Sequence, residues 1–306
     1  MFWHKWFIPK PFNSGFLAEK DGHKIAFAEF GNPNGIPVIF FNGGPGGKYK
    51  PERAKIANLR KYRVIMFDQR GCGRSLPLGK TEHNTTQDLL DDTTRLVNHL
   101  KIKQKIILRG ASWGSTLALL WAEQNPDKVS KLLLSQVFLA NKEFLNWEFG
   151  GTRFIYPEFV ETLEEESNGK INSYYNKLIK NINKENQLTA INRLGWFERI
   201  CGSMEPKFST FEEIDEAELA SHRIYMHYAA NNLFLGNNDI LDSIHKIKNI
   251  DTVIIHNRLD LVCPFKGAYD IHKLLPNSHL ISVPEFGHVG KKLHNTMQNI
   301  FGDILK

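Results

Sequence analysis

A serine set between two glycines, in Gly110-Ala-Ser112-Trp-Gly114, constrains this chain more than any other feature. The apolar run Lys105-Ile-Ile-Leu108 precedes it, and Leu117, Leu119, Leu120 and Trp121 follow at helical spacing until Pro126. A strand must therefore turn sharply into a helix at the serine and hold its side chain above the sheet. Only small neighbours avoid a clash in so tight a turn. A bare G-x-S-x-G string arises often by chance; the strand before it and the helix after it make this one specific. Ser112 is the candidate nucleophile.

That junction is part of a longer alternation. From Leu17 to about Phe138, runs rich in Val, Ile and Phe alternate with helix signals; they are His23 to Phe30, Pro37 to Phe41, Arg63 to Phe67, Lys105 to Leu108 and Val129 to Leu134. The alternation predicts a mostly parallel sheet with helices on its faces. Thr85-Thr-Gln-Asp88 is a capping-box pattern, and Leu89, Leu90, Leu96, Val97 and Leu100 extend it as a helix between two strands. From about Ala140 to Ile244 the apolar residues fall at helical spacing, and strand character returns at Thr252 to His256 and His279 to Val283. The expected organisation is an α/β body, residues 1–139 and 246–306, interrupted by a helical cap over 140–245. The short acidic run Glu161 to Glu166 reads as a solvated helix face.

At 306 residues, 42% hydrophobic and 24% charged, the chain can bury a full core. Its three cysteines argue against a disulfide framework and fit a reducing compartment. No stretch approaches the roughly 18 uninterrupted apolar residues of a membrane helix. The segment Met1 to Lys10 is aromatic and basic but interrupted by Pro9 and without a signal-peptide core. An arm packed on its own domain is the expectation for it, and a lipid-surface anchor the alternative. Lys plus Arg number 39 against 33 Asp plus Glu, and this net +6 invites a nucleic-acid partner. No zinc-finger, RNA-recognition or helix-turn-helix signature supports one, so none is expected.

A serine nucleophile needs a base, and the base needs an orienting acid. After a serine elbow of this kind the chain order is Ser, then Asp or Glu, then His, the last two on loops after late strands. Asp260, in Asn257-Arg-Leu-Asp-Leu-Val-Cys-Pro264, and His288, in Glu285-Phe-Gly-His-Val289, stand where that order requires. His256 and His279 lie in or beside predicted strands, Asp251 precedes a strand, and Asp270 falls inside a helix pattern. The oxyanion needs backbone N–H donors. Phe41-Asn-Gly-Gly-Pro-Gly-Gly47, at the end of an apolar strand, lets the main chain approach a substrate, and Trp113 N–H follows the nucleophile directly. The glycine run lacks the terminal Lys-Ser/Thr of a phosphate loop. A hydroxyl nucleophile points to acyl transfer, so an ester, thioester or amide is the expected substrate class.

These strings, with Asn42-Gly-Gly-Pro-Gly46, Phe67-Asp-Gln-Arg-Gly-Cys-Gly-Arg-Ser75, Asn84-Thr-Thr-Gln-Asp88, Gly110-Ala-Ser-Trp-Gly-Ser-Thr-Leu-Ala-Leu119 and Asp260-Leu-Val-Cys-Pro264, resemble the proline iminopeptidase family of α/β-hydrolases. The resemblance runs from about Phe16 to the C-terminus. It implies an α/β-hydrolase fold with a helical cap, and a cytoplasmic exopeptidase without cofactor or metal. Such an enzyme removes an N-terminal residue, typically proline, from a peptide or small substrate with a free amino terminus. By the same resemblance Ser112, Asp260 and His288 match the triad, and Gly44 with Trp113 the oxyanion donors. Glu198 matches a carboxylate for the amino terminus, and Phe138 and Cys263 match pocket positions. The chain departs from the pattern around the substrate. Asn42 replaces a His, the run Leu134-Ser-Gln-Val-Phe138 lacks the Arg expected shortly before Phe138, and Arg223-Ile-Tyr-Met-His-Tyr-Ala229 puts Tyr225 where a second cap Glu is expected and Ala229 in place of an aromatic wall.

Three readings follow: an aminopeptidase with altered preference, an esterase or amidase on the same scaffold, and a catalytically silent binding protein. Charge placement favours the first. Residues 141–240 hold ten Lys and Arg against sixteen Asp and Glu, so the cap is net −6 and the remainder net +12. An acidic lid over a basic body focuses field on a cationic substrate end.

Overall fold

A computed structural model describes residues 8–202, 210–236 and 239–305; the side chains of Trp196 and Glu198 also fall outside that description, as does most of the aromatic N-terminal segment. Eight strands form one sheet: β1 (Asn13–Phe16), β2 (Ala26–Gly31), β3 (Ile36–Phe41), β4 (Tyr62–Phe67), β5 (Ile106–Ser112), β6 (Val129–Val137), β7 (Asp251–Leu259) and β8 (Ser278–Phe286). Their order is β1-β2-β4-β3-β5-β6-β7-β8. β1 and β2 run antiparallel to their neighbours, and every other pairing is parallel.

Four helices belong to this α/β body. They are α1 (Thr86–His99), α2 (Trp113–Gln124) and, after the helical stretch between β6 and β7, α9 (Phe265–Leu274) and α10 (Lys291–Ile304). The period of two along each strand sorts the core into two layers. Ile39, Leu108, Leu132, Leu134 and Ile254 pack with α1, α2 and α9, whereas Val38, Phe40, Ile107, Leu133 and Ile255 pack with Leu293 and Phe301 of α10. Each such side chain contributes about 1.5–3 kcal/mol on burial. The capping box forms as expected: the Thr85 hydroxyl accepts from Asp88 N–H, and the Asp88 carboxylate accepts from Thr85 N–H at 2.9 Å.

Between β6 and β7 the described chain is helical: α3 (Lys142–Asn146), α4 (Pro157–Ser167), α5 (Ile171–Ile179), α6 (Lys184–Cys201), α7 (Glu216–Ala229) and α8 (Ile240–Ser243). Tyr156, Phe159, Leu163, Tyr175, Ile191, Phe197 and Met226 make a third core separate from the other two. Ile224 and Tyr228 of α7, with Leu233, Leu235, Ile240 and Ile244, join the core of the body instead. The helical insertion thus has its own interior in its first part and is anchored through its last. Among the described residues no helix is long and apolar enough to cross a membrane.

Several strand ends differ from the sequence expectation. β1 escapes notice because Asn-Ser-Gly-Phe has no alternation; its pairing with β2 supplies what its side chains do not. The run from His23 becomes strand only at Ala26, since Asp21 and Gly22 turn the chain with positive φ and His23 pairs back to Lys20. β5, β6, β7 and β8 all run beyond their apolar runs, carrying polar residues to the carboxyl edge of the sheet. In the acidic run, Glu166 is tied down: it accepts from Tyr175 Oη at 2.6 Å and pairs with Arg193 at 2.6 Å.

Candidate active site

The carboxyl ends of β3, β5, β6, β7 and β8 meet along one edge, where an open parallel sheet presents ligand-binding loops. Ser112 ends β5 and immediately precedes α2, with φ 55° and ψ −131°. A residue with a side chain pays on the order of 1–3 kcal/mol for such backbone. The neighbouring glycines follow from contact distances. A Cβ on Gly110 would lie 2.3 Å from the Gly114 carbonyl oxygen, and one on Gly114 would lie 2.4 Å from that of Phe41. Ser115 Oγ donates to Ser112 O at 2.6 Å and accepts from Phe138 N–H at 3.0 Å, fixing the turn against the end of β6.

Asp260 and His288 come together from the loops after β7 and β8. His288 Nδ1 lies 2.8 Å from Asp260 Oδ2, and Asp260 Oδ1 accepts from the N–H groups of Val262 (3.0 Å) and Cys263 (2.9 Å). A carboxylate at Nδ1 places the ring proton there and leaves Nε2 with a lone pair. Three further bonds tether the histidine loop. Gln136 Nε2 donates to His288 O at 2.6 Å, Asn257 Nδ2 to Gly287 O at 2.7 Å, and Gly287 N–H to Leu259 O at 2.9 Å.

Burial alone would push the Asp260 carboxyl up, but His288 at 2.8 Å and His256 at 3.5 Å together outweigh burial and hold it well below the usual carboxylate range. Burial pulls the His288 imidazole down, while Cys263, if it were a thiolate, and the Asp260 carboxylate raise it. Burial also pushes the Cys263 thiol up, which keeps it protonated. Asp260 is therefore the charge that raises His288. Among the described residues the Ser112 hydroxyl has no hydrogen bond to His288; its neighbour is Cys263 Sγ at 3.9 Å. Ser112 and His288 nonetheless line one cavity of about 720 Å³, together with Gly43, Gly44 and Gln136. Rotation about Ser112 Cα–Cβ would redirect the hydroxyl within it, and catalytic hydrogen bonds often tighten only with substrate in place.

The glycine loop after β3 is held by Gln69. Its Nε2 donates to the carbonyls of Asn42 (3.0 Å) and Gly43 (3.1 Å), and its Oε1 accepts from Gly46 N–H at 3.0 Å. The amides of Gly43 and Gly44 have no partner among the described residues. Trp113 N–H, in the first turn of α2, has no acceptor within the helix. Gly44 thus reaches the cavity with φ +125° and a free donor, and Gly43 lies against Ser112: a Cβ there would be 3.6 Å from Ser112 Cβ. The Asp68 to Ser75 string explains itself as scaffolding. Buried Asp68 accepts from Tyr49 N–H at 2.6 Å and Arg74 N–H at 2.8 Å, and fully buried Arg70 forks onto Asp92 at 2.6 and 2.9 Å.

The residues assigned to substrate contact are dispersed. Phe138 packs edge-on against Phe144, with ring centroids 6.4 Å apart, and Cys263 is buried beside Ser112. Tyr225 donates its hydroxyl to Glu148 Oε1 at 3.1 Å, so a carboxylate stands beside the position where the resemblance expects a glutamate. Glu198 falls within α6, but its side chain lies outside the described residues. Phe138, Tyr225 and Cys263 do not line the 720 Å³ cavity. Sequence reasoning missed Gln136, Asn257 and Glu148. A glutamine at φ +49° at a strand end leaves no trace in the sequence pattern; Glu148 follows Trp147 in a helical stretch and looks like surface. Among the described residues no three His, Cys, Asp or Glu side chains converge to hold a metal ion.

Comparison with known proteins agrees with this architecture. A family described as the alpha/beta hydrolase fold matches residues 36–294. The chain is 36% identical to a proline iminopeptidase of Arabidopsis thaliana over 288 residues, covering 91% of this chain and 76% of that one. It is 38% identical to the proline iminopeptidase of Neisseria gonorrhoeae over 291 residues, 92% of each. Among solved structures, VinJ superposes with TM-score 0.67 at 18% identity, covering 97% of this chain and 99% of that one. A putative aryl esterase from Burkholderia cenocepacia gives TM-score 0.64 at 16% identity, over 96% and 98%. Those two likenesses speak for the fold, and the sequence identities for the family. With its serine elbow, its strand order and these identities over nine-tenths of its length, the chain belongs to the proline iminopeptidase family of α/β-hydrolases.

Proposed function

We propose that this protein is a serine aminopeptidase that removes the N-terminal residue, proline above all, from peptides through an acyl-enzyme. The observation that carries the reading is His288, paired with buried Asp260 at 2.8 Å and lining the same cavity as the elbow serine. His288 Nε2 takes the proton of the Ser112 hydroxyl as Oγ attacks the carbonyl carbon. The negative charge that develops on the carbonyl oxygen meets the N–H groups of Gly44 and Trp113, donors whose individual loss costs roughly 3–4 kcal/mol. His288 then passes the proton to the departing amine, and the C–N bond breaks. Water, deprotonated by His288, hydrolyses the ester on Ser112 and restores the hydroxyl.

Recognition of the amino terminus falls to the cap. Glu198, by family resemblance, and Glu148, through its bond to Tyr225, would offer carboxylates to the ammonium group, with Phe138 and Cys263 forming apolar wall. Tyr225 in place of a glutamate is the observation that favours the second reading, an esterase or amidase. Turnover of prolyl-anilide, alanyl-anilide and a short acyl ester by the wild type and Ser112→Ala separates the two. The aminopeptidase reading expects prolyl-anilide to be the best substrate and Ser112→Ala to abolish turnover. Ester hydrolysis without any anilide hydrolysis would overturn it.

A further inference from the structure

Arg109 lies on β5, three residues before Ser112, and is only 7% exposed. Buried arginines are ordinarily paired with carboxylates. Arg109 has no such pair among the described residues. Its guanidinium rests over the rings of Phe40 (5.1 Å) and Phe301 (5.7 Å), and its Nε is buried without a hydrogen-bond partner. Burial and the Arg53 guanidinium pull it down to about 10, so it is still cationic at neutral pH. It lines the same cavity as Ser112 and His288, where Lys48, Lys50, Arg53 and Lys55 outnumber the one carboxylate of the lining, Glu52. An unpaired cation facing a basic cavity joined to the reacting serine calls for an anion that arrives with the substrate.

We propose that this cavity holds a carboxylate-binding site centred on Arg109, which receives the acidic end of the departing peptide. The proposal rests on the aminopeptidase reading and adds to it a substrate class: short peptides with a free C-terminus, or longer ones with an acidic side chain at the same distance. A strand rises about 3.3 Å per residue, so three residues separate Arg109 from Ser112 by roughly 10 Å. An extended peptide covers about 3.3–3.6 Å per residue, so a span equal to this backbone separation takes two or three residues beyond the scissile bond. Planar, bidentate recognition suits arginine better than lysine.

The test compares kcat/KM for Pro-Gly-Gly as free acid, for its C-terminal amide and for Pro-Gly-Glu-amide, in wild type, Arg109→Met, Arg109→Lys and Arg53→Gln. The free acid is expected to exceed its amide by about tenfold or more in the wild type, the scale of a charge-assisted bond. The ratio falls to near one in Arg109→Met, and to intermediate values in Arg109→Lys and Arg53→Gln. Because each reading is a ratio within one variant, changes in the basal rate cancel, and Arg53→Gln, with its side chain exposed, probes the site without disturbing the core. Pro-Gly-Glu-amide cleaved as well as the free acid assigns the site to side-chain carboxylates too; cleaved only as well as the neutral amide, it restricts the site to the C-terminus. A ratio near one in the wild type, or a ratio unchanged by Arg109→Met, overturns the proposal. Should no prolyl peptide be cleaved, the aminopeptidase reading fails by itself. Competition of glycylglycine and glycylglycine amide against acyl-ester hydrolysis then tests the site: tighter inhibition by the acid supports it, and equal inhibition overturns it.

Discussion

Ser112, Asp260 and His288 depend on backbone as much as on side chains. Asp260 receives two backbone N–H bonds on one oxygen and turns the other to His288 at 2.8 Å, with His256 Nε2 farther off at 3.5 Å, so the imidazole of His288 is held in one tautomer. Asp260→Asn would present an amide that can donate to Nδ1 and favour the wrong tautomer. We expect kcat to fall by about 10⁴ with little change in KM, as measured by anilide turnover. A loss below tenfold would show that Asp260 does not orient the base. Glu148 offers a second residue-scale test. If its carboxylate, reached through Tyr225, helps hold the substrate ammonium, Glu148→Gln raises KM for prolyl-anilide about tenfold or more and leaves acyl-ester KM unchanged, on the scale of one charged hydrogen bond. Equal effects on both substrates would assign Glu148 to cap structure alone.

At the scale of elements, much was legible. The parallel strands announce themselves because a strand buried on both faces must be apolar throughout, and α1 because its cap is written in four consecutive residues. The pairing of Asp260 with His288 was readable because loop positions after late strands are few. Gln136 and Glu148 were not, since their placement depends on where β6 ends and on how α7 docks. That docking is a matter of few contacts. Tyr228 Oη donates to Asn84 Oδ1 at 2.9 Å, His227 Nε2 lies 3.1 Å from Asn84 O, and Gly46 approaches Ser221 so closely that a Cβ would sit 2.6 Å from its carbonyl oxygen. Asn84, which stands in the sequence only as part of a family string, also donates to Arg70 O and Lys80 O and so joins α7 to the loop after β4. Tyr228→Phe leaves that buried amide oxygen without its donor. The expected loss is about 1–3 kcal/mol in urea unfolding, with a larger proportional fall in kcat/KM than in ester hydrolysis. Unchanged stability would mean that the apolar contacts of α7 suffice to dock it.

On the scale of the whole molecule, the uneven charge of residues 141–240 and the rest of the chain has a counterpart inside the fold. Glu123, on the buried face of α2, is 7% exposed and its Oε1 has no partner. Burial pushes its carboxyl up to about 8, an effect that Lys246 opposes and Asp239 reinforces. In the unfolded chain the same carboxyl has its ordinary value near 4.3. Between those values the folded protein binds a proton that the unfolded chain has released, so the contribution of Glu123 to stability declines as pH rises through that window and levels off above about 8. His23 and His227 work in the other direction: burial lowers both, so the unfolded chain takes up protons first and stability is lost as pH falls below the ordinary histidine value near 6.5. Glu123→Gln isolates the first effect, because the amide keeps the shape and removes the titration. In urea unfolding at pH 5 and pH 8.5, the variant should gain on the wild type with rising pH, by on the order of 3–5 kcal/mol across the window. A constant difference between the two proteins at both pH values would show that Glu123 is ionised in the fold, with Lys246 outweighing burial.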